Sequence, residues 1–162
     1  VAYKSITPYV EFERGVTQFS TEGNGSDKST SARRELFPGR HYTLIALPGK
    51  KGGTRLETFS DDLGKLDPNQ ARVRLINATT SGDELNLYVQ GTNTRILRGS
   101  DSGEIVAVAE MYAATVEIRP ERKSVTKAFS DLTVDPGRLY TFIAVNNGAA
   151  LDVVQIEDRV EP

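Results

Sequence analysis

The sequence predicts an all-β chain organised as two tandem β-sandwich units, the first without its opening strands. Three observations predict it. Apolar and polar residues alternate with a period of two through most of the chain, and no stretch keeps helical three-to-four spacing beyond two turns. Turn formers such as Ser81-Gly82-Asp83, Gly91-Thr92-Asn93, Asp101-Ser102-Gly103 and Asp135-Pro136-Gly137 punctuate the second half at the spacing of a sandwich. A nine-residue phrase, PGRHYTLIA at Pro38 to Ala46, returns as PGRLYTFIA at Pro136 to Ala144, 98 positions later.

In the first unit, strands are expected near 7–13, 16–20, 30–37, 41–47 and 54–60. In the second, Val73, Leu75 and Asn77 alternate with Arg72, Arg74 and Ile76, and Leu85, Leu87 and Val89 alternate with Asn86, Tyr88 and Gln90. Ala114, Val116 and Ile118 then share one face, with Thr115, Glu117 and Arg119 on the other. Further strands are expected near 94–98, 104–110, 125–134, 139–146 and 151–157. Gly64, Pro68 and Asn69 mark the boundary, giving a first unit at 1–64, a linker at 65–70 and a second unit at 71–162.

The repeated phrase has a physical reading. Pro sets φ near −65° and the next residue, Gly, accepts a positive φ, so Pro-Gly turns the chain sharply into a strand with Tyr near its start. In immunoglobulin-like sandwiches such a Tyr bonds upstream backbone through its hydroxyl, forming a tyrosine corner. Tyr42 and Tyr140 are assigned that structural role, and both units are expected to be immunoglobulin-like. If the second unit begins near Ala71, the counterpart of that start falls about 27 residues before Val1. The first unit is therefore expected to lack its opening hairpin through cleavage or trimming. An open sheet edge left this way is an aggregation hazard unless covered, by homodimerisation or strand complementation through the first repeat or by direct packing of its strands against the second unit.

Composition narrows the function. Lys and Arg total 20 against 22 Asp and Glu, split 10 to 9 over residues 1–70 and 10 to 13 over the remainder, so no basic face for nucleic acid stands out. With no Cys, disulfides, thiol catalysis and Cys-ligated zinc are excluded. The longest apolar run, Ile105 to Ala109, is far short of the roughly 20 residues a membrane helix needs. A chain starting at Val1 reads as processed or excised, its targeting signal removed.

The stretches ARVRLINATTSGDELNLYVQG and DPGRLYTFIAV, with VAYKSITPYVEF at the amino end and LETFSDD closing the first unit, resemble the bacterial secreted and surface proteins classed as domain of unknown function 4397. The resemblance implies tandem immunoglobulin-like repeats opening on a Val-Arg-Val-hydrophobic-Asn strand, and a periplasmic, cell-surface or extracellular location. The sequence departs from that pattern after Asn77, which continues into Ala78, Thr79 and Thr80. It does so again at Ala113, where the Gly seen as Gly15 in the first unit is expected. A looser resemblance, resting on NQARVRLINA after a short Tyr-Thr strand and a linker, is to the periplasmic accessory protein of alginate O-acetylation. It implies binding of partner proteins or polysaccharide without catalysis.

The framework motifs carry no catalytic constellation. His41 is the only His, which leaves no partner set for zinc and no base near a plausible nucleophilic Ser, and a GxSxG elbow is missing. Asp61, Asp62 and Asp67, and separately Asp152, Glu157 and Asp158, are read as solvated strand ends rather than calcium loops, as are Asp101 and Glu104. Catalytic residues, cofactor sites and metal sites are therefore set at none. The segment Thr21 to Arg34, with an Asn24-Gly25 turn, is the most loop-like stretch, either a recognition loop presenting Asn24, Asp27 and Lys28 or a plain hairpin tip. Asn24-Gly25-Ser26 and Asn77-Ala78-Thr79 match the N-glycosylation pattern, read as coincidence in a bacterial protein. Tyr3, Tyr9, Tyr88 and Tyr112 are the aromatics available for stacking on sugar, and Tyr88 beside Asn86 and Gln90 suits either a binding surface on the sheet face or ordinary packing against the neighbouring unit. The function expected is a non-enzymatic adhesion, scaffold or binding module for protein or polysaccharide. An accessory subunit of exopolysaccharide modification is the alternative, and a hydrolase with an unrecognised carboxylate pair the third reading.

Overall fold

A computed structural model describes residues 5–21, 30–49, 53–101, 108–121, 128–147 and 150–160. Among them are the strands β1 (Gly15–Thr21), β2 (Thr30–Leu36), β3 (His41–Pro48) and β4 (Thr54–Asp61), followed by β5 (Gln70–Asn77), β6 (Leu85–Val89), β7 (Arg95–Ser100) and β8 (Ala109–Tyr112). The last four are β9 (Ala114–Pro120), β10 (Phe129–Val134), β11 (Arg138–Asn147) and β12 (Ala150–Arg159). No described residue is helical. The chain divides into compact units at Val1–Asp62 and Leu63–Pro162.

In the second unit, sheets of order β10-β9-β6-β7 and β12-β11-β5-β8 enclose one apolar core. Alternation supplies it: Leu85 and Leu87 of β6 with Val116 and Ile118 of β9 meet Val73 and Leu75 of β5 with Tyr140 and Phe142 of β11. Each such side chain, fully removed from water, contributes on the order of 2 kcal/mol. Antibody-type sandwiches are built of two antiparallel sheets. Here β5 instead runs parallel to β11, pairing Leu139 with Arg72 through Ala144 with Asn77.

Strand β5 is buried on both faces. Arg72, Arg74 and Ile76 alternate with the core residues, yet are only 7%, 2% and 0% exposed. The strand is central, and polar chemistry on its second face marks bonded groups rather than solvent. Arg72 donates to the carbonyls of Gly64 and Lys65 and pairs with Glu110 at 3.2 Å. Both guanidinium nitrogens Nε and Nη2 of Arg74 bond Thr141 Oγ1, at 3.1 and 2.7 Å.

Among the described residues, the first unit holds two antiparallel pairs, β1 with β2 and β3 with β4. These repeat the second unit residue by residue. Thr17 opposite Arg34 corresponds to Val116 opposite Leu132, and Tyr42 opposite Ser60 corresponds to Tyr140 opposite Glu157. The offsets are 99 and 98 for the first pair and 98 and 97 for the second, and the β1–β2 register follows until a bulge in β10. The Pro-Gly corners match as well. Gly39 and Gly137 take positive φ, 69° and 76°. The amide of Phe37 donates to Tyr42 Oη at 3.2 Å, and the amide of Asp135 donates to Tyr140 Oη at 3.1 Å. Burial raises the Tyr140 pKa against the lowering effect of that amide, so the hydroxyl stays protonated at neutral pH.

The strand expected at 7–13 does not form; residues 5–13 carry no regular secondary structure and are exposed. The repeat supplies the reason. Glu11 corresponds to Glu110 of β8, an edge strand whose one neighbour is β5. No described strand of the first unit stands in the place of β5, so an alternating segment has no ladder to join.

Candidate functional site

The face of β10-β9-β6-β7 turned away from the core gathers the residues singled out on β6. Strand alternation sends Leu85 and Leu87 inward, which leaves Asn86 and Tyr88 outward, with Gln90 just past the strand end. Across the sheet Tyr88 lies opposite Glu117 on β9 and opposite Arg95 on β7. Arg119, one step along β9, lays its guanidinium over the half-buried Tyr88 ring, 4.6 Å from the centroid.

Arg119 is fixed by more than the ring. It pairs with Glu117 and donates to the carbonyl of Thr92 at 2.8 Å, while Glu117 also accepts from the Gly91 amide at 2.9 Å. The Arg119 hydrogen bond, helped by Gly91, holds the Glu117 carboxyl below the ordinary carboxylate range in spite of partial burial. Gln90 grips Asp131 from both sides: its Nε2 donates to Oδ1 at 2.8 Å and its Oε1 accepts from the Asp131 amide at 2.7 Å. Asp131 sits at φ 66° in the β10 bulge, and bonds from Gln90 and then Ser130 lower its pKa. The face is thus a set of alternating charges held in place around one aromatic ring. Both carboxylates with a resolved shift are pushed toward the ionised form, which suits fixed recognition groups and opposes a proton-donating acid.

Glu117 offers a direct check. Because its folded-state pKa is lowered, its contribution to stability is present above the ordinary carboxylate range and is lost as pH falls through the lowered value. A carbon-detected NMR titration is expected to find its midpoint below that of an ordinary glutamate, and Arg119→Gln to bring it back up. An unmoved midpoint would show that the pair does not set it.

Asn86 leaves the expected surface set. It is 0% exposed, with Nδ2 donating to Glu121 at 2.6 Å and Oδ1 accepting from the Gly99 amide at 2.8 Å, so its polar groups tie β7 and the end of β9 to β6. Asn24, Asp27 and Lys28, like Tyr3 and Glu104, lie outside the described residues, whereas Thr30 to Arg34 of the loop-like stretch belongs to β2. Tyr112 on β8 is 67% exposed. Tyr9 is 50% exposed, meets the His41 ring edge-on at 5.3 Å, and donates its hydroxyl to Asp61 at 3.0 Å.

Asp61 is a further correction to the surface reading. It is 5% exposed rather than solvated, and its carboxylate also accepts from Thr43 Oγ1 at 2.9 Å. Among the described residues no group of three or more His, Asp or Glu could hold a metal ion. Asn77 is buried as well, so the second glycosylation pattern has no accessible acceptor in the folded unit. Arg119 and Asp131 had not been picked out beforehand: the first reads as ordinary strand polarity, and the bulge carries no glycine to signal it.

Comparison with known proteins gives three findings. A family model described as a domain of unknown function (DUF4397) matches residues 1–88, running from the first unit through most of β6. The solved structure of the C-terminal domain of AlgF from P. aeruginosa is 16% identical over 56% of this chain and 99% of its own, with a TM-score of 0.44, and corresponds to the looser resemblance read from the sequence. No curated protein matches the chain.

Proposed function

Because the chain belongs to the family named domain of unknown function 4397, whose framework it folds as a β-sandwich, we propose that it is a non-enzymatic binding module of the bacterial envelope or exterior. Its ligand is a polysaccharide or a protein surface, and the contact is the outer face centred on Tyr88. The observation that carries this reading is the stacked Tyr88–Arg119 pair, with Gln90, Glu117 and Asp131 bonded around it. The stacked ring and guanidinium form one pre-set planar group, and the surrounding amide and charges offer directional hydrogen bonds, a combination suited to sugar hydroxyls and polar protein surfaces. The groups are ordered before a ligand arrives, which lowers the entropic cost of binding. An adhesion or scaffold role fits a rigid sandwich that presents such a face. No helix among the described residues is long and apolar enough to cross a membrane.

A glycan array followed by turnover assays tests the reading. Binding without turnover is expected, weakened at least tenfold in Tyr88→Ala while the fold, checked by NMR, is retained. Binding indifferent to Tyr88→Ala would move the site elsewhere, and turnover abolished by a single Asp or Glu replacement would make the protein an enzyme.

A further inference from the structure

The two units share their strand registers but not their burial. Phe142 and Ala144 on β11 are 0% exposed, whereas Leu44, at the position of Phe142, is 39% exposed and Ala46, at that of Ala144, is exposed. Met111 of β8 is 9% exposed and its counterpart Phe12 is 57% exposed. In the second unit β5 lies between β11 and β8 in the same sheet, and its Val73 and Leu75 join these residues in the core with Leu85 and Leu87 of β6. In the first unit the sheet of β3 and β4 ends at β3 among the described residues.

We propose that the first unit accepts an extended segment of β5 chemistry, alternating Arg with aliphatic residues and ending in Asn, which enters parallel to β3 between that strand and residues 8–13. The register of β5 on β11 sets the alignment. Positions equivalent to Arg72 through Asn77 fall opposite His41 through Ala46. Two charge matches then follow from that register, with Tyr9, which bonds Asp61 and meets the His41 ring, moved aside by the segment. The second Arg of the segment, equivalent to Arg74, reaches Thr43, which stands where Thr141 receives Arg74. Beside Thr43 is the buried carboxylate of Asp61, at the position of Asp158. The first Arg, equivalent to Arg72, is matched by Glu11, which in the repeat corresponds to the Glu110 that pairs with Arg72. An aliphatic residue at the place of Leu75 lies opposite Leu44, and backbone hydrogen bonds along the edge supply affinity, as in other strand-addition complexes.

This surface is separate from the Tyr88 face and stands or falls independently of it. The test uses the full chain and a labelled synthetic peptide with the sequence of residues 69–78, NQARVRLINA. Saturable binding is expected, with slowed hydrogen exchange along β3. Peptides carrying Arg74→Glu or Arg72→Glu are expected to bind at least tenfold more weakly, and these leave the protein itself unchanged. A companion variant, Asp61→Asn, is expected to lose the discrimination against the Arg74→Glu peptide. Failure to bind, equal binding of a scrambled peptide, or protection confined to β8 and β11 would overturn the proposal. So would self-association of the chain that buries β3 and that the peptide does not displace.

Discussion

Phe142→Ala is expected to destabilise the second unit by about 3–5 kcal/mol, while Leu44→Ala in the first is expected to cost less than about 1 kcal/mol. The two residues occupy the same place in the repeated hairpin, so local sequence context is nearly constant. What differs is the surroundings. Phe142 is fully enclosed and stacked on Tyr140, the ring planes 12° apart and the centroids 6.1 Å apart, in a core that β5 and β6 complete. Removing the ring leaves a cavity that a two-sheet sandwich cannot readily collapse. Leu44, 39% exposed, has much less transfer energy to lose. Because a two-unit chain need not unfold in a single step, the comparison is made by denaturant titration read through resolved NMR signals of each unit. Equal costs at the two sites would mean that the first unit has a core of its own.

Asn77→Ala is expected to cost roughly 2–4 kcal/mol, close to a core truncation although only an amide is lost. Asn77 ends β5 fully buried and organises the corner into β6. Its Nδ2 donates to the Asp83 carbonyl at 2.8 Å, and its Oδ1 accepts from the amide and the hydroxyl of Thr79 at 3.1 and 2.7 Å. Ala would leave the buried Thr79 groups and the part-buried Asp83 carbonyl without these bonds. Asn77→Asp keeps the acceptor, loses the donor and buries a charge, so it is expected to be no better. Thermal unfolding of the two variants checks this, and a change under about 0.5 kcal/mol would show that water replaces the amide at the corner.

Much of this architecture was legible in the sequence, because it depends on local signals. The Pro-Gly phrase announced both tyrosine corners, and the hydroxyl bonds to Phe37 and Asp135 recur at the same offset as the phrase itself. Strand positions followed from period-two alternation, which reports local geometry. The misreadings involve partners remote in sequence. Residues 7–13 alternate correctly yet lack a strand to pair with, and Asn86 belongs to the polar face of its strand while Glu121 and Gly99 close over it. The burial of Arg72 and Arg74 likewise rests on Gly64, Lys65 and Thr141, which take their donors. The parallel pairing of β5 with β11 joins segments over 60 residues apart, and no turn signal encodes it.

The central claim is that one hairpin pattern is built twice in a common register and, among the described residues, completed by flanking strands only in the second unit. Residue-resolved amide hydrogen exchange on β1 and β9 tests it most directly. Strand β9 is bonded on one side to β10 and on the other to β6, whereas the sheet containing β1 holds β2 alone among the described residues. Slow exchange at successive amides of β9, with slow and fast amides alternating along β1, is the predicted result; unbroken protection along β1 equal to that of β9 would contradict it.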